Sequence, residues 1–384
     1  MTGYCVMPWV GMEVNNNGNL RPCCAWAEES VLDENGDKYN INTHAISEYQ
    51  NSDKLKDVQQ RILAGDRIAE CSKCFHEESV GVRSMRIRKN AQFPTDVETE
   101  IGYKSIDMKI SNLCNQKCMI CNATASSMIA AENKQLFPEL MQGFNYDEFN
   151  WYQNDDRWNE LKALAHDVHH LDFYGGEPWL IKKQWEFIAY LVETGLSSHI
   201  SLNYATNGSV FNDKWFTDYF ANFKNVTILL SADGIGDTFE YVRYPAKWNV
   251  FAENIQKIID YRDQGIIEWV GIAYTVSAFS MHNVIDSLKY YKEINVPVWF
   301  NLVNEGEFSA GVLSADAKEL LWQTIEDGWQ DDFLLSDQIG PEFFKAALDC
   351  DIEQKWKDLF KFKTAARDHH RDNSFAAIFP DTKE

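Results

Sequence analysis

Six short apolar runs, spaced so that a helix fits between each pair, constrain the fold of this 384-residue chain more than any other feature. Each run has the apolar and β-branched content of a strand, and amphipathic stretches such as 251–265 lie between them. The runs cover residues 103–111, 167–180, 199–208, 225–234, 268–277 and 296–306. Alternation of strands and helices favours parallel strands with right-handed crossovers. The sequence therefore predicts an α/β fold with six βα units, fewer than the eight of a closed barrel.

Three cysteines follow the first of these runs within eight residues. They are Cys114, Cys118 and Cys121, in the segment SNLCNQKCMIC. Three thiolates on one loop can hold three corners of an iron–sulfur cube and leave the fourth iron open, as a catalytic metal site requires. A structural zinc knuckle is the alternative, with its fourth ligand supplied by one of three downstream histidines: His166, His169 and His170. The spacing alone leaves both alternatives open.

The second run ends in Gly175-Gly176-Glu177-Pro178. Glycines allow the backbone to approach a ligand closely, while Glu177 and neighbouring carbonyls can accept hydrogen bonds from an ammonium group. An ordinary Gly-Gly turn is the alternative.

Polar residues also stand at the carboxyl ends of the later runs, where a parallel barrel carries its active residues. They are Asn207, Ser231, Asp233, Ser277, Asn304 and Glu305, with Arg243 following the segment Ser-Ala-Asp-Gly at 231–234. The guanidinium of Arg243 matches a carboxylate in shape. Turn chemistry is the alternative for Ser231 and Asp233. Asp233 and Glu305 are the candidates for a catalytic acid or base.

A second group of cysteines precedes the six runs. Cys5 and Cys23 flank Gly18, and Cys71-Ser-Lys-Cys74 follows after a long gap. Four thiolates can saturate one iron–sulfur cube, which suits electron transfer or structural support. Neighbouring thiols cannot easily serve adjacent corners of one cube, so we assign Cys23 as the ligand and exclude Cys24. Structural zinc, with His76 nearby, remains the alternative.

Charge and composition exclude several kinds of partner. With 36 Lys and Arg against 58 Asp and Glu, the formal net charge is −22, which disfavours nucleic acids and anionic membranes. The N-terminus lacks the pattern of a signal peptide, and no apolar stretch has the length of a membrane helix. We therefore expect a cytoplasmic protein with reduced thiols, in which clustered cysteines bind metal.

Taken together, these motifs resemble the radical SAM superfamily. The resemblance implies a partial (β/α)6 TIM-like barrel in which Cys114, Cys118 and Cys121 bind a [4Fe–4S] cluster whose open iron binds S-adenosylmethionine (SAM). It assigns further SAM contacts to the GGEP segment and to a set of single residues: Ile120, Asn207, Ser231, Arg243, Ser277 and Asn304. Ile120 departs from the family pattern, because an aromatic residue usually stands there.

The N-terminal cysteines resemble those of a twitch domain, the shorter relative of the SPASM domain, which carries an auxiliary [4Fe–4S] cluster. Such domains usually follow the barrel, whereas here the motif precedes it. We expect an auxiliary-cluster domain and linker at 1–98, the barrel at 99–306 and a helical C-terminal region at 307–384.

The resemblance also implies the reaction and the partners. Reductive cleavage of SAM would give a 5′-deoxyadenosyl radical that abstracts a substrate hydrogen, with an electron donor such as flavodoxin or ferredoxin. Oxidation or crosslinking of a peptide or protein side chain is the expected outcome. The alternatives are dehydrogenation or rearrangement of a sugar, aminocyclitol or nucleotide, and a noncatalytic metal-binding scaffold.

Overall fold

A computed structural model describes residues 3–79, 83–93 and 102–379. The end of the predicted linker and the last residues of the predicted tail lie outside these ranges. Within them, no helix is both long enough and apolar enough to cross a membrane.

Eight strands form one sheet in the order β2-β1-β3-β4-β5-β6-β7-β8. Their bounds are β1 Gly11–Val14, β2 Leu20–Arg21, β3 Ser105–Lys109, β4 His170–Tyr174, β5 Ser201–Thr206, β6 Asn225–Ser231, β7 Trp269–Val276 and β8 Val298–Leu302. The strands pair in parallel in β1–β3, β3–β4, β4–β5, β6–β7 and β7–β8, and β1 and β2 pair antiparallel. Each of the six predicted runs contains one strand, so these six predictions are confirmed. Two further strands, β1 and β2, come from the N-terminal segment, where the sequence analysis predicted none.

Helices connect the strands and make up most of the C-terminal region. Their bounds are α1 Met7–Val10, α2 Ile46–Gln50, α3 Asp53–Leu63, α4 Ser72–Ser79, α5 Met85–Gln92, α6 Ser127–Leu136, α7 Asp155–Leu164, α8 Lys182–Glu193, α9 Gly236–Val242, α10 Trp248–Asp263, α11 Val284–Glu293, α12 Ala315–Gly328, α13 Glu342–Leu348, α14 Gln354–Arg371 and α15 Phe375–Ile378. The helical character predicted for 307–384 is confirmed over the described part of that range.

The chain divides into two compact units. The first contains residues 1–113, 143–204 and 213–226, and the second contains 114–142, 205–212 and 227–384. These units do not coincide with the predicted segments 1–98, 99–306 and 307–384. The N-terminal segment contributes β1, which pairs in parallel with β3 from Gly11 opposite Ser105 to Val14 opposite Met108. The front cysteines therefore belong to a segment that is itself part of the sheet.

Alternation along the strands of the first unit separates an apolar face from a polar one, because successive side chains point to opposite faces. Ile106, Met108, Leu171 and Phe173 are at most 1% exposed and form part of the core. Their neighbours along the same strands carry hydroxyl, carboxyl, amino and imidazole groups. The fold thus keeps one face of these strands for packing and places charged groups on the other.

Candidate functional site: cysteine loops and the residues around them

The second unit holds the cysteine loop with Cys114, Cys118 and Cys121. The amide of Gln116 donates to Cys114 Sγ at 3.4 Å, and Cys118 Sγ donates to Gln116 Oε1 at 3.5 Å. Ser126 then caps helix α6 by accepting from the amide of Ile129 at 3.2 Å. The same hydroxyl donates to the carbonyl of Gln116 at 2.6 Å. One serine thus starts the helix and ties it to the middle of the loop.

The thiols of this loop are shielded and lie near a cation. Burial raises the pKa of Cys121 to about 11 and that of Cys118 further, while the guanidinium of Arg243 acts in the opposite direction on both. Thiols must lose their protons to bind metal, so metal binding at this loop releases protons. Arg243 favours the thiolate form that an iron–sulfur cluster requires.

Arg243 is itself held by the polar segment after β6. Its Nη2 lies 2.8 Å from Asp233 Oδ2, and Asp233 is fully buried. The carboxylate also accepts from the amide of Thr275 at 2.8 Å, next to the end of β7. These bonds give Asp233, the predicted acid or base, a clear structural partner. The predicted cofactor residue Arg243 lies near the cysteine loop.

The other predicted residues of this unit differ in their surroundings. Asn207 donates to Asn115 Oδ1 at 2.9 Å and lies 3.9 Å from Cys114 Sγ, so it reaches the cysteine loop. Ser277 is fully buried and its hydroxyl accepts from the amide of Phe279 within a turn. Ile120 and Ser231 are half-buried, whereas Asn304 and Glu305 are exposed. Of the predicted residues in this unit, Asn207 and Arg243 are the two that the structure places near the thiols of the loop.

The Gly-Gly-Glu-Pro segment belongs to the first unit, and both of its glycines have a left-handed backbone with φ of +78° at Gly175 and +52° at Gly176. A Cβ on Gly175 would collide with Asn16 Oδ1 and lie 2.8 Å from Lys109 Cβ. A Cβ on Gly176 would collide with the carbonyl oxygen of Leu113, which accepts from the amide of Glu177 at 2.8 Å. The segment is therefore packed closely against the residues that follow β3.

Glu177 does not extend into solvent. It is fully buried, and its carboxylate accepts from the amide of Trp179 at 3.0 Å. Trp179, which directly follows the segment, is 2% exposed and packs against Tyr204 and Trp215 with ring centroids 6.0 and 5.3 Å away. An indole of this size is buried in an aromatic core cluster, because that removes a large apolar surface from water.

The four front cysteines line one pocket of the first unit. Cys5, Cys23, Cys71 and Cys74 all contribute to its wall, whereas Cys24 does not. Burial raises the pKa of Cys5 to about 11 and that of Cys71 to about 12. It also raises the pKa of Cys23, to which the neighbouring Cys5 adds. Four thiols that line one pocket form a donor set of the kind that a saturated iron–sulfur cluster uses.

Arg86 on α5 lines the same pocket. It forms an ion pair with Glu78 and donates to the carbonyl of Tyr4 at 2.7 Å. These bonds fix a cation beside the thiols. The sequence shows the basic residue but gives no sign that it folds back towards Cys5.

Cys24 faces a different environment from its neighbour Cys23. Cys24 is exposed, whereas Cys23 is half-buried. The Sγ of Cys24 lies 3.5 Å from Met85 Sδ.

The polar face of the first unit carries an unbroken row of register partners on five adjacent strands: Arg21, Glu13, Asp107, Asp172 and Asn203. Burial and the neighbouring Asp172 raise the pKa of Asp107 well above its usual range. Although burial opposes it, a hydrogen bond with His170 lowers the pKa of Asp172. Two adjacent buried carboxyl groups resist ionising together, so Asp107 and Asp172 titrate as one pair in which the neutral form is favoured at Asp107. The alternation along each strand predicts a polar face, but only the register of the paired strands shows that these five residues lie side by side.

Over residues 3–79, 83–93 and 102–379, no group of three or more His, Cys, Asp or Glu side chains is drawn together closely enough to bind a single metal ion. An iron–sulfur cube differs from a single ion in this respect, because each thiolate binds a different iron atom.

Comparisons with known proteins complete the description of the site. No protein-family model matches the sequence, and no curated protein matches it either. Among solved structures, anSMEcpe with bound AdoMet and Cp18Cys peptide is similar at 15% identity and a TM-score of 0.37, over 65% of this chain and 62% of that one. A second anSMEcpe structure with AdoMet gives 16% identity and a TM-score of 0.41, over 64% of this chain and 60% of that one. The chain thus spans less than two thirds of the length of these anSMEcpe structures.

SuiB of Streptococcus suis bound to S-adenosylmethionine is a further similar structure. It has 12% identity and a TM-score of 0.35, over 76% of this chain and 66% of that one.

Proposed function

We propose that the chain is a radical SAM enzyme with an auxiliary iron–sulfur cluster. The observation that carries the proposal is the cysteine loop, where the half-buried Cys118 and Cys121 lie near Arg243 and Cys114 lies near Asn207. When bound, the [4Fe–4S] cluster supplies the electron that cleaves SAM to methionine and a 5′-deoxyadenosyl radical, which removes a hydrogen atom from the substrate.

The chain's own residues bind and orient the cofactor in this proposal. Arg243 is proposed to bind a carboxylate of the cofactor, because its buried guanidinium group is already oriented by Asp233. Asn207 fixes the loop through Asn115. Ser231, Ser277, Asn304 and Ile120 remain proposed contacts of SAM on the motif resemblance. Asp233 and Glu305 remain candidates for acid or base, and the bonds of Asp233 favour its role in positioning Arg243.

Within the first unit, the Gly-Gly-Glu-Pro segment is proposed to take the amino group of SAM. Its left-handed glycines turn the chain sharply, and they carry no Cβ that would block a close approach of the backbone to a ligand. Glu177 holds the turn by accepting from Trp179, so its proposed role is to shape the segment.

Cys5, Cys23, Cys71 and Cys74 are proposed to bind the auxiliary cluster, because all four line one pocket. An oxidised product requires an electron acceptor, and this cluster is the proposed one. If variants of Cys71 and Cys74 kept the wild-type turnover and product, that role would be excluded.

Anaerobic reconstitution followed by iron and sulfide analysis tests the proposal directly. Two cubes would give about eight irons per chain, and serine variants of either cysteine group about four. Cys350→Ser and Cys24→Ser are matched controls, because neither thiol lines the front pocket or belongs to the loop. Both should leave the iron content unchanged.

Reduction in the presence of SAM should then release 5′-deoxyadenosine, and its absence from a fully loaded protein would contradict the proposal. A protein that loads zinc at either cysteine group would support the alternative of a metal-binding scaffold.

A peptide or protein side chain is the proposed substrate class, on the resemblance of Ser231-Ala-Asp-Gly and Arg243 to the peptide-modifying branch. A sugar, aminocyclitol or nucleotide is the second candidate. Isotope transfer from a deuterated substrate into 5′-deoxyadenosine distinguishes them, because the label follows the substrate that loses hydrogen.

A further inference from the structure

The C-terminal helix α14 contacts the cysteine loop through two buried arginines. Arg367 Nη1 donates to the carbonyl of Met119 at 2.6 Å. Arg371 Nη1 lies 3.1 Å from Met119 Sδ. Met119 stands between Cys118 and Cys121 and is 1% exposed. A helix far away in the sequence therefore reaches the middle of the proposed cluster-binding loop.

A second set of hydrogen bonds, to residues at and just after the end of α9, also holds the loop. The amide of Met119 donates to the carbonyl of Val242 at 2.7 Å, and the amide of Lys117 donates to the carbonyl of Tyr244 at 2.8 Å. Both backbone groups of Met119 are thus hydrogen-bonded, its N–H to the last residue of α9 and its carbonyl to Arg367. This arrangement fixes the loop from two sides.

The carboxylate of Glu132 lies close to three cations beside the loop. Arg371 binds Glu132 through two bonds of 2.9 and 2.6 Å, while Lys117 lies 3.1 Å from the same carboxylate and Arg367 3.4 Å. Glu132, Arg367 and Arg371 are all less than 9% exposed.

The acids that face these cations leave one positive charge uncompensated. Glu307 pairs with Lys363 at 2.6 Å. Asp368 accepts from the hydroxyl of Tyr241 and from the amide of Phe375, both at 2.8 Å, and these neutral donors leave its negative charge in place. The four cations Lys117, Lys363, Arg367 and Arg371 therefore exceed the three acids Glu132, Glu307 and Asp368 by one. Buried positive charge is costly unless a negative charge compensates it. A cysteine-ligated iron–sulfur cluster carries net negative charge and would supply that compensation.

We propose that Arg367 and Arg371 are positioning residues that clamp the cluster-binding loop through Met119 and raise the reduction potential of the cluster. The inference rests on the proposed function, because it requires iron at Cys114, Cys118 and Cys121. Positive charge and hydrogen bonding near an iron–sulfur cluster are among the features that set its potential.

Redox titration of the reconstituted full-length protein, followed by electron paramagnetic resonance, tests the inference. The signal that changes on addition of SAM identifies the loop cluster. Arg367→Gln should make this cluster at least tenfold harder to reduce, a fall of 59 mV for one electron. Arg367→Lys keeps the charge and should stay closer to wild type.

Lys361→Gln is the matched control, since it removes one positive charge from an exposed position on the same helix. An equal shift in this control, or an unchanged potential in Arg367→Gln, would overturn the inference while leaving the proposed function intact. If Arg367→Gln does not assemble its cluster, Arg371→Gln and Arg371→Lys provide the same comparison. A wild-type protein that takes up no iron would overturn both proposals.

Discussion

Gly175 and Gly195 provide a matched pair for testing whether close packing shapes the Gly-Gly-Glu-Pro segment. Their φ angles are +78° and +76°, so alanine meets the same left-handed strain at either position. That strain costs about 1–2 kcal/mol. A Cβ at Gly195 has no atom within 4 Å, whereas one at Gly175 would collide with Asn16 and lie 2.8 Å from Lys109 Cβ.

Overpacking of this kind adds about 1–3 kcal/mol. We therefore expect Gly195→Ala to lower the free energy of unfolding by about 1–2 kcal/mol and Gly175→Ala by about 2–5 kcal/mol. Chemical denaturation measures both values. Where Gly175→Ala stays folded, its segment must shift, so SAM affinity should fall in this variant and not in Gly195→Ala. Equal destabilisation of the two variants would refute the argument from close packing.

Three further predictions concern buried ionisable groups. Burial lowers the pKa of His282 to about 4, so the unfolded chain binds an extra proton between pH 6.5 and 4, and stability should fall by about 3 kcal/mol over that window. Urea unfolding at several pH values should show a smaller fall in His282→Gln. Asp107→Asn should lower the free energy of unfolding by under about 1 kcal/mol at pH 7, since burial beside Asp172 favours the neutral carboxyl that asparagine resembles, whereas Asp172→Asn should lower it by about 3 kcal/mol. Asp233→Asn leaves Arg243 without its charged partner and should weaken SAM binding, as measured by calorimetry.

Local patterns predicted the strands well, because each combines apolar alternation with a turn at its end. The same patterns located the cysteine loop after β3 and the glycine segment after β4. What they could not predict depends on residues far apart in the sequence. Arg367 and Met119 come together only through tertiary folding. The short strand β1 also escaped prediction, because its four residues carry too little periodicity.

Asp233 and Trp179 illustrate a second limit. Both stand beside motifs that point to function. The sequence cannot show whether such a side chain is free to contact a ligand or is already bonded to, or packed against, other residues of the chain. The structure gives Asp233 an arginine and a backbone amide, and it gives Trp179 an aromatic cluster.

The pairing of β1 with β3 has a practical consequence for dissecting this protein. Removing the first 98 residues to isolate a barrel would strip two strands from the sheet and expose the backbone edge of β3. An exposed edge of this kind invites pairing with other chains. The cysteine-bearing N-terminal segment is therefore unsuited to transplantation or truncation as a detachable module, and loss of solubility on its removal would say nothing about whether it binds metal.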